Sequence, residues 1–308
     1  MNEKDILKRR WEEIDNVFAK YQKQYKYNVK ERVQAIINKY KITDKNLYLY
    51  LNNKDLSMFR IELQDALDEN LDEYTQFKIQ RLIKRTKIKY IEILEILIEL
   101  AYIKIDNNNK KFEDELFYNV ADITSKQFQE DSYDIKTRIK KFRLFPIPEY
   151  LIPNILATPL YLGYAWLEYK ERNRQYVSNK MYRKVVVDLM GDRLDLDTYD
   201  NAINRDRKSY ITALDNEIAS LSSQVALWGM EKQGIKKVKF VAVIDERTTK
   251  VCKSMNGQIF DIKGRNTYMR YESESDTSPR RYVTDGLMIG QNQPALHYNC
   301  RSTLVPYK

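Results

Sequence analysis

The chain has 308 residues, 43% of them hydrophobic and 12% aromatic, which is apolar surface enough for a real core and excludes wholesale disorder. Its formal net charge is +9, carried on a surface that is also rich in acids; this balance permits a nucleic-acid partner, and an ordinary basic protein fits it equally well. A membrane span needs about 18 uninterrupted apolar residues, and the longest candidate, residues 91–105, is broken by Glu92, Glu95, Glu99 and Lys104, so no membrane partner is expected.

The opening Met1-Asn2-Glu3-Lys4-Asp5 lacks the apolar core of a signal peptide, so a cytosol-like compartment is expected. Two cysteines make no disulfide framework; reduced thiols are expected, with one bridge formally possible. All seven prolines lie at or beyond Pro146 and all eight glycines at or beyond Gly163. Strong helix breakers are thus confined to the second half, and the chain is expected to divide into a helical arm (1–145), a proline-rich linker (146–162) and a smaller mixed domain with a short sheet (163–308). The expected class is α+β.

In chain order, Ile6, Trp11, Ile14, Val17, Phe18 and Tyr21 recur at helical intervals, and Val29, Val33, Ile36, Ile37 and Tyr40 form a second such stripe. Phe59, Leu63, Ala66, Leu67 and Leu71 outline a third, with Asp55 as its expected cap. Residues 74–105 read as one long helix or two stacked ones, ended by the turn-favouring Asp106-Asn107-Asn108-Asn109. Lys78, Arg81, Lys84, Arg85, Lys87 and Lys89 lie on that stretch, either as a solvated face or as a stripe that tracks phosphates. Beyond the extended linker, residues 163–174 and 179–190 look helical, the latter stopped by Gly191. Residues 201–218 lead into a helix over 219–233, with Gly234 at its C-cap. The strongest strand covers 236–244, its alternation putting Val238, Phe240, Ala242 and Ile244 on one side.

That strand delivers the chain to Asp245-Glu246-Arg247-Thr248-Thr249-Lys250-Val251-Cys252. Gly257 then turns between two short extended pieces, which puts Cys252 at the mouth of a small hairpin. Residues 261–293 are polar and read as a long mobile loop, after which Pro294-Ala295-Leu296-His297-Tyr298-Asn299-Cys300-Arg301 brings in the only histidine and the second cysteine. Three readings of Cys252, His297 and Cys300 stand side by side: buried packing, zinc ligation completed by Asp245 or water, or a Cys/His nucleophile. Asp245, Glu246 and Arg247 also read as the end of the strand, with Arg247 and a carboxylate forming a local ion pair, and Glu217 as a helical glutamate with an arginine partner.

The run from Asp245 through Thr248 to Cys252, then Asn256-Gly257-Gln258-Ile259-Phe260, then Pro294 to Arg301, resembles the C-terminal signature of the phage head morphogenesis family, the minor head proteins of tailed bacteriophages similar to the F protein of phage Mu. Glu217, Asp245, Arg247, Thr248, Gly257 and Arg301 stand at its motif positions, and the likeness covers residues 164–305. Two positions depart from it: Thr249 and Ser302 stand where the family commonly has cysteines, which leaves Cys252, His297 and Cys300 as the ligands for any zinc. The resemblance implies a non-enzymatic minor capsid protein that associates with the portal during procapsid assembly and meets scaffold or capsid proteins. It would be made in the bacterial host cytoplasm, packaged inside the head of the virion, and bind the packaged double-stranded DNA without sequence preference. The competing readings are a small transferase or hydrolase using Glu217 or Cys252/His297, and a regulatory nucleic-acid binder with a degenerate zinc module, for which no reading helix is evident.

Overall fold

A computed structural model describes residues 3–67, 69, 71–131, 146–157, 165–242, 244, 248–262, 269–270, 282–283 and 300–307. The protein is α+β: long helices dominate, and a small antiparallel sheet lies near the C-terminus. The chain makes two compact units that interleave in sequence, one from Met1–Gln24, Phe112–Tyr169 and Ile211–Lys308, the other from Tyr25–Lys111 and Lys170–Tyr210. The division expected at 145 and 162 is therefore not the one the contacts follow. Proline and glycine mark where helices break, whereas units are divided by which apolar faces share a core.

The all-helical unit contains α2 (Val29–Tyr40), α3 (Asn53–Leu67), α4 (Glu73–Ile83) and the first part of α5 (Tyr90–Asp131), together with the second part of α7 (Trp166–Met190). Helix α2 buries the expected stripe of Val29, Val33, Ile36, Ile37 and Tyr40. Lys41 ends it in the left-handed region at φ 48°, where Ile42 N–H reaches Ile37 O at 3.0 Å. The start of α3 is capped by Asn52 rather than Asp55: Asn52 Oδ1 accepts from Asp55 N at 2.8 Å, and Asp55 instead accepts from the Tyr90 hydroxyl at 2.5 Å. Asp72 caps α4 by accepting from Thr75 N at 2.9 Å and pairs with Arg174. Burial pushes the Asp72 carboxyl up, but the Thr75 hydrogen bonds and the Arg174 charge outweigh it and hold its pKa below the usual value. The core of this unit runs through Val33, Phe59, Leu63, Ile79, Ile93 and Val185.

The asparagine run does not end a helix, because α5 passes straight through it. Asn109 is 1% exposed; its side chain accepts from Lys26 N at 3.1 Å and donates to Lys26 O at 3.0 Å and Ile105 O at 2.8 Å. A buried amide that pairs both groups of the Lys26 backbone outweighs a turn preference that is only local.

The mixed unit contains α1 (Glu3–Gln24), the second part of α5, α6 (Leu151–Leu156), the start of α7 and most of α8 (Asp200–Lys232), followed by the sheet. Helix α1 buries Trp11, Ile14, Phe18 and Tyr21. Residues 151–156 are helical rather than extended: Pro153 sits in the first turn, where its missing N–H costs nothing, and Ile152 and Ile155 are buried. The helices expected over 163–174 and 179–190 merge into α7, and those over 201–218 and 219–233 merge into α8. Helix α8 closes as expected at Gly234, with φ 75° and Ile235 N–H on Met230 O at 3.1 Å.

Strand β1 (Lys237–Val241) is central in the three-stranded sheet, antiparallel to β2 (Ile259–Asp261) on one side and to β5 (Thr303–Tyr307) on the other. Its register sets Val238 opposite Phe260 and Pro306. Val238, Phe240 and Ala242 are buried on the predicted side, but pairing stops at Val241 and Ile244 is 48% exposed. Within the expected loop over 261–293, β3 (Met269–Arg270) pairs antiparallel with β4 (Tyr282–Val283). Among the described residues no helix is long and apolar enough to cross a membrane.

Replacing Asn109 by Leu leaves Lys26 N–H and C=O without their partner, and is expected to cost about 2–4 kcal/mol in urea unfolding with helix content retained in the folded protein. A variant as stable as the parent would show that the segment before α2 is not held by Asn109.

Candidate functional site

Around the C-terminal sheet, Thr249 Oγ1 accepts from Cys252 N at 3.4 Å and opens the short helix α9 (Lys250–Met255). Cys252 therefore lies inside a helix, 2% exposed, and not at a hairpin mouth. Gly257 follows with φ 87°, a conformation that favours glycine. Its N–H reaches Phe240 O at 2.8 Å while Phe240 N–H reaches Gln258 O at 2.8 Å, which locks β2 onto β1. The Asn256 side chain extends the match by accepting from Ala242 N at 2.9 Å.

Cys300, fully buried just ahead of β5, places its Sγ 3.8 Å from Cys252 Sγ. That separation is also the edge of a zinc tetrahedron with Zn–S bonds of about 2.3 Å. Two thiolates do not hold zinc, and among the described residues no group of three or more metal-ligating side chains forms. Zinc ligation thus turns on His297, which with Asp245 and Arg247 lies outside the described residues.

Arg301 joins distant parts of the mixed unit. Its Nη2 donates to Asp15 Oδ1 at 3.0 Å and to Asp215 Oδ1 at 3.1 Å, its carbonyl accepts from Trp11 Nε1 at 3.0 Å, and its guanidinium lies 4.5 Å from the centre of the Trp11 ring. Arg301 was legible as a motif position. Trp11, Asp15 and Asp215 were not, because nothing in the sequence pairs an arginine with residues up to 290 positions away.

Glu217, two residues along α8 from Asp215, is 0% exposed, and neither carboxylate oxygen has a hydrogen-bond partner among the described residues. The expected arginine partner is absent there, since Arg301 takes Asp215 instead. Burial pushes the Glu217 carboxyl from the ordinary 4.5 up to about 8, so it is held as the neutral acid. Asn216 Oδ1 and Ser223 Oγ, buried on the same helix, also lack partners among the described residues.

In the helical unit the basic run divides in two. Lys78 donates to Glu95 at 2.8 Å and to Glu99 at 2.9 Å, and Arg85 pairs with Glu92 through both nitrogens. Burial pulls the Lys78 ammonium down, but the hydrogen bonds and charges of Glu95 and Glu99 outweigh it and raise its pKa. These two cations are therefore already paired with carboxylates. Arg81, Lys84 and Lys87 have no carboxylate partner among the described residues, whereas Lys89 donates its backbone N–H to Glu92 at 2.9 Å and its charge helps hold that carboxyl below the usual value. The run is also not one helical face: α4 ends at Ile83, and Lys87 and Lys89 lie in the connection to α5, where Lys89 bridges to Tyr50. Their ammoniums stand 5.7 and 5.6 Å from the centre of the Tyr50 ring, which is itself 55% exposed.

No family model, curated protein or solved structure matches the chain.

The raised pKa of Glu217 gives stability a definite sign with pH. The unfolded carboxyl ionises near 4.5 and the folded one near 8, so stability is full below the first value and falls as pH rises through the second. Glu217→Gln is expected to leave stability near pH 4 almost unchanged and to raise it by about 4–5 kcal/mol near pH 9, read by denaturant unfolding at both pH values. An equal effect at the two would show that Glu217 ionises normally in the fold.

Proposed function

We propose that this chain is a minor structural head protein of a tailed bacteriophage, associating with the portal during procapsid assembly and carried inside the head beside the packaged DNA. What supports this most directly is that motif residues separated by tens of positions in sequence converge on one small sheet. Cys252 meets Cys300 at 3.8 Å, Gly257 adopts the left-handed turn at φ 87°, and Arg301 is tied to Asp15, Asp215 and Trp11. A built mixed unit of this kind suits docking on portal, scaffold or capsid proteins.

The DNA part of the reading draws on Arg81, Lys84, Lys87 and Lys89, none of which forms a salt bridge among the described residues, although the charge of Lys89 also acts on Glu92. Cations of this kind release counterions on meeting phosphate and read no bases.

One observation favours a second reading. A buried, unpaired carboxylic acid held neutral near pH 7, as at Glu217, is the form in which a general acid works, which suits a transferase or hydrolase. That role needs substrate to reach Glu217, and the residue is 0% exposed.

Duplex DNA of any sequence should bind the purified chain with an affinity that falls steeply with salt, the four cations giving a log–log slope of about −4. The triple variant Lys84→Glu, Lys87→Glu, Lys89→Glu should bring that slope close to −1, whereas Lys78→Ala should lower stability and leave the slope unchanged. Binding that ignores salt, or a slope that follows Lys78 rather than the other three, would remove DNA from the account.

A further inference from the structure

We infer that Cys252 and Cys300 form a covalent modification site: a dithiol poised to close into an intramolecular disulfide on contact with a peroxide. The inference rests on the local geometry alone and holds whether or not the chain is a head protein. The two sulfurs lie 3.8 Å apart although the residues are 48 positions apart in sequence. Closing to a bond of about 2 Å requires the sulfurs to approach by less than 2 Å. The chain has two cysteines in all, so no third thiol competes for either partner within the molecule.

Both residues are buried, at 2% and 0% exposure, which selects the oxidant: hydrogen peroxide is barely larger than water, whereas a bulky disulfide such as oxidised glutathione needs the unit to open. In the first step one thiolate attacks a peroxide oxygen; the O–O bond breaks, a sulfenic acid forms and hydroxide leaves. In the second, the other sulfur attacks the sulfenic sulfur, the S–S bond forms, and the sulfenic oxygen departs as water. The two thiols together lose two electrons and two protons, and one peroxide becomes two waters.

The bond would tie α9 to the residues that lead into β5, and so fasten the two sequence-distant edges of the motif. It also closes a long loop in the unfolded chain, where a cross-link removes much conformational entropy.

The test treats the purified full-length chain with hydrogen peroxide, then maps its cysteine peptides without reduction and records thermal unfolding. Expected are a Cys252–Cys300 linked peptide two hydrogens lighter than the separate pair, a midpoint several degrees higher, and reversal of both by dithiothreitol. Cys252→Ser and Cys300→Ser should each abolish the link and the shift; should either fail to fold, the peptide map of the parent chain decides alone. Four results would each overturn the inference: oxygen added to the cysteines with no link, disulfide-joined dimers, cysteines inert in the folded chain but reactive in urea, or one zinc per chain that shields both thiols until chelated.

Discussion

The mixed unit depends on the way Arg301 is held. Its guanidinium reaches Asp15 on α1 and Asp215 on α8 and lies against the Trp11 ring, while its carbonyl takes the Trp11 indole N–H. Each contact answers a separate need. The buried indole requires an acceptor, the largely buried Asp215 requires a positive partner, and the residue entering β5 requires a fixed position if the sheet is to keep its register. A lysine would supply the charge but neither the flat face nor the forked donors. The helix at one end of the chain and the strand at the other are thereby parts of one unit, and a detachable N-terminal arm is not what the contacts describe.

In the helical unit two of the candidate cations are already paired. Lys78 and Arg85 stand among the six candidate cations, yet Glu95, Glu99 and Glu92 neutralise them, so they contribute to packing α4 and α5 and little to the external field. Among the described residues Arg81, Lys84, Lys87 and Lys89 form no salt bridge, and on the proposed reading they are the cations that meet a polyanion. A polyanion held by such cations would be bound strongly at low salt and without regard to sequence, which is what the proposed reading asks of a protein that lies against packaged DNA. Glu217 is the opposite case, a charge suppressed by burial, and its neutral form suits a tightly closed interior.

Much of the fold was legible in the sequence because it rests on periodicity. The stripe Val29, Val33, Ile36, Ile37, Tyr40, the alternation through Val238, Phe240 and Ala242, and the stop at Gly234 all follow from local pattern and local conformational preference. The misreadings occur where a long-range contact overrides a local one. Asn109 would favour a turn were it not paired to Lys26, and Asn52 rather than Asp55 caps α3 because the Tyr90 hydroxyl engages Asp55. Strand β5 passed unseen because Pro306 and its short length hide it; at the sheet edge a missing N–H is tolerated, and Leu304 is buried opposite Phe240. Of the candidate site, the meeting of Cys252 and Cys300 was foreseeable from the resemblance. The division of the basic run was not, since a glutamate seventeen positions from Lys78 in sequence gives no sign of lying beside it.

The proposal that this is a structural component of a phage head is tested most directly by quantitative mass spectrometry of virus particles purified from cells that produce the chain. The account predicts its peptides in DNA-filled heads at a few copies per particle, and in procapsids that contain the portal. Their absence from both, with the protein abundant in the infected cell, would contradict it.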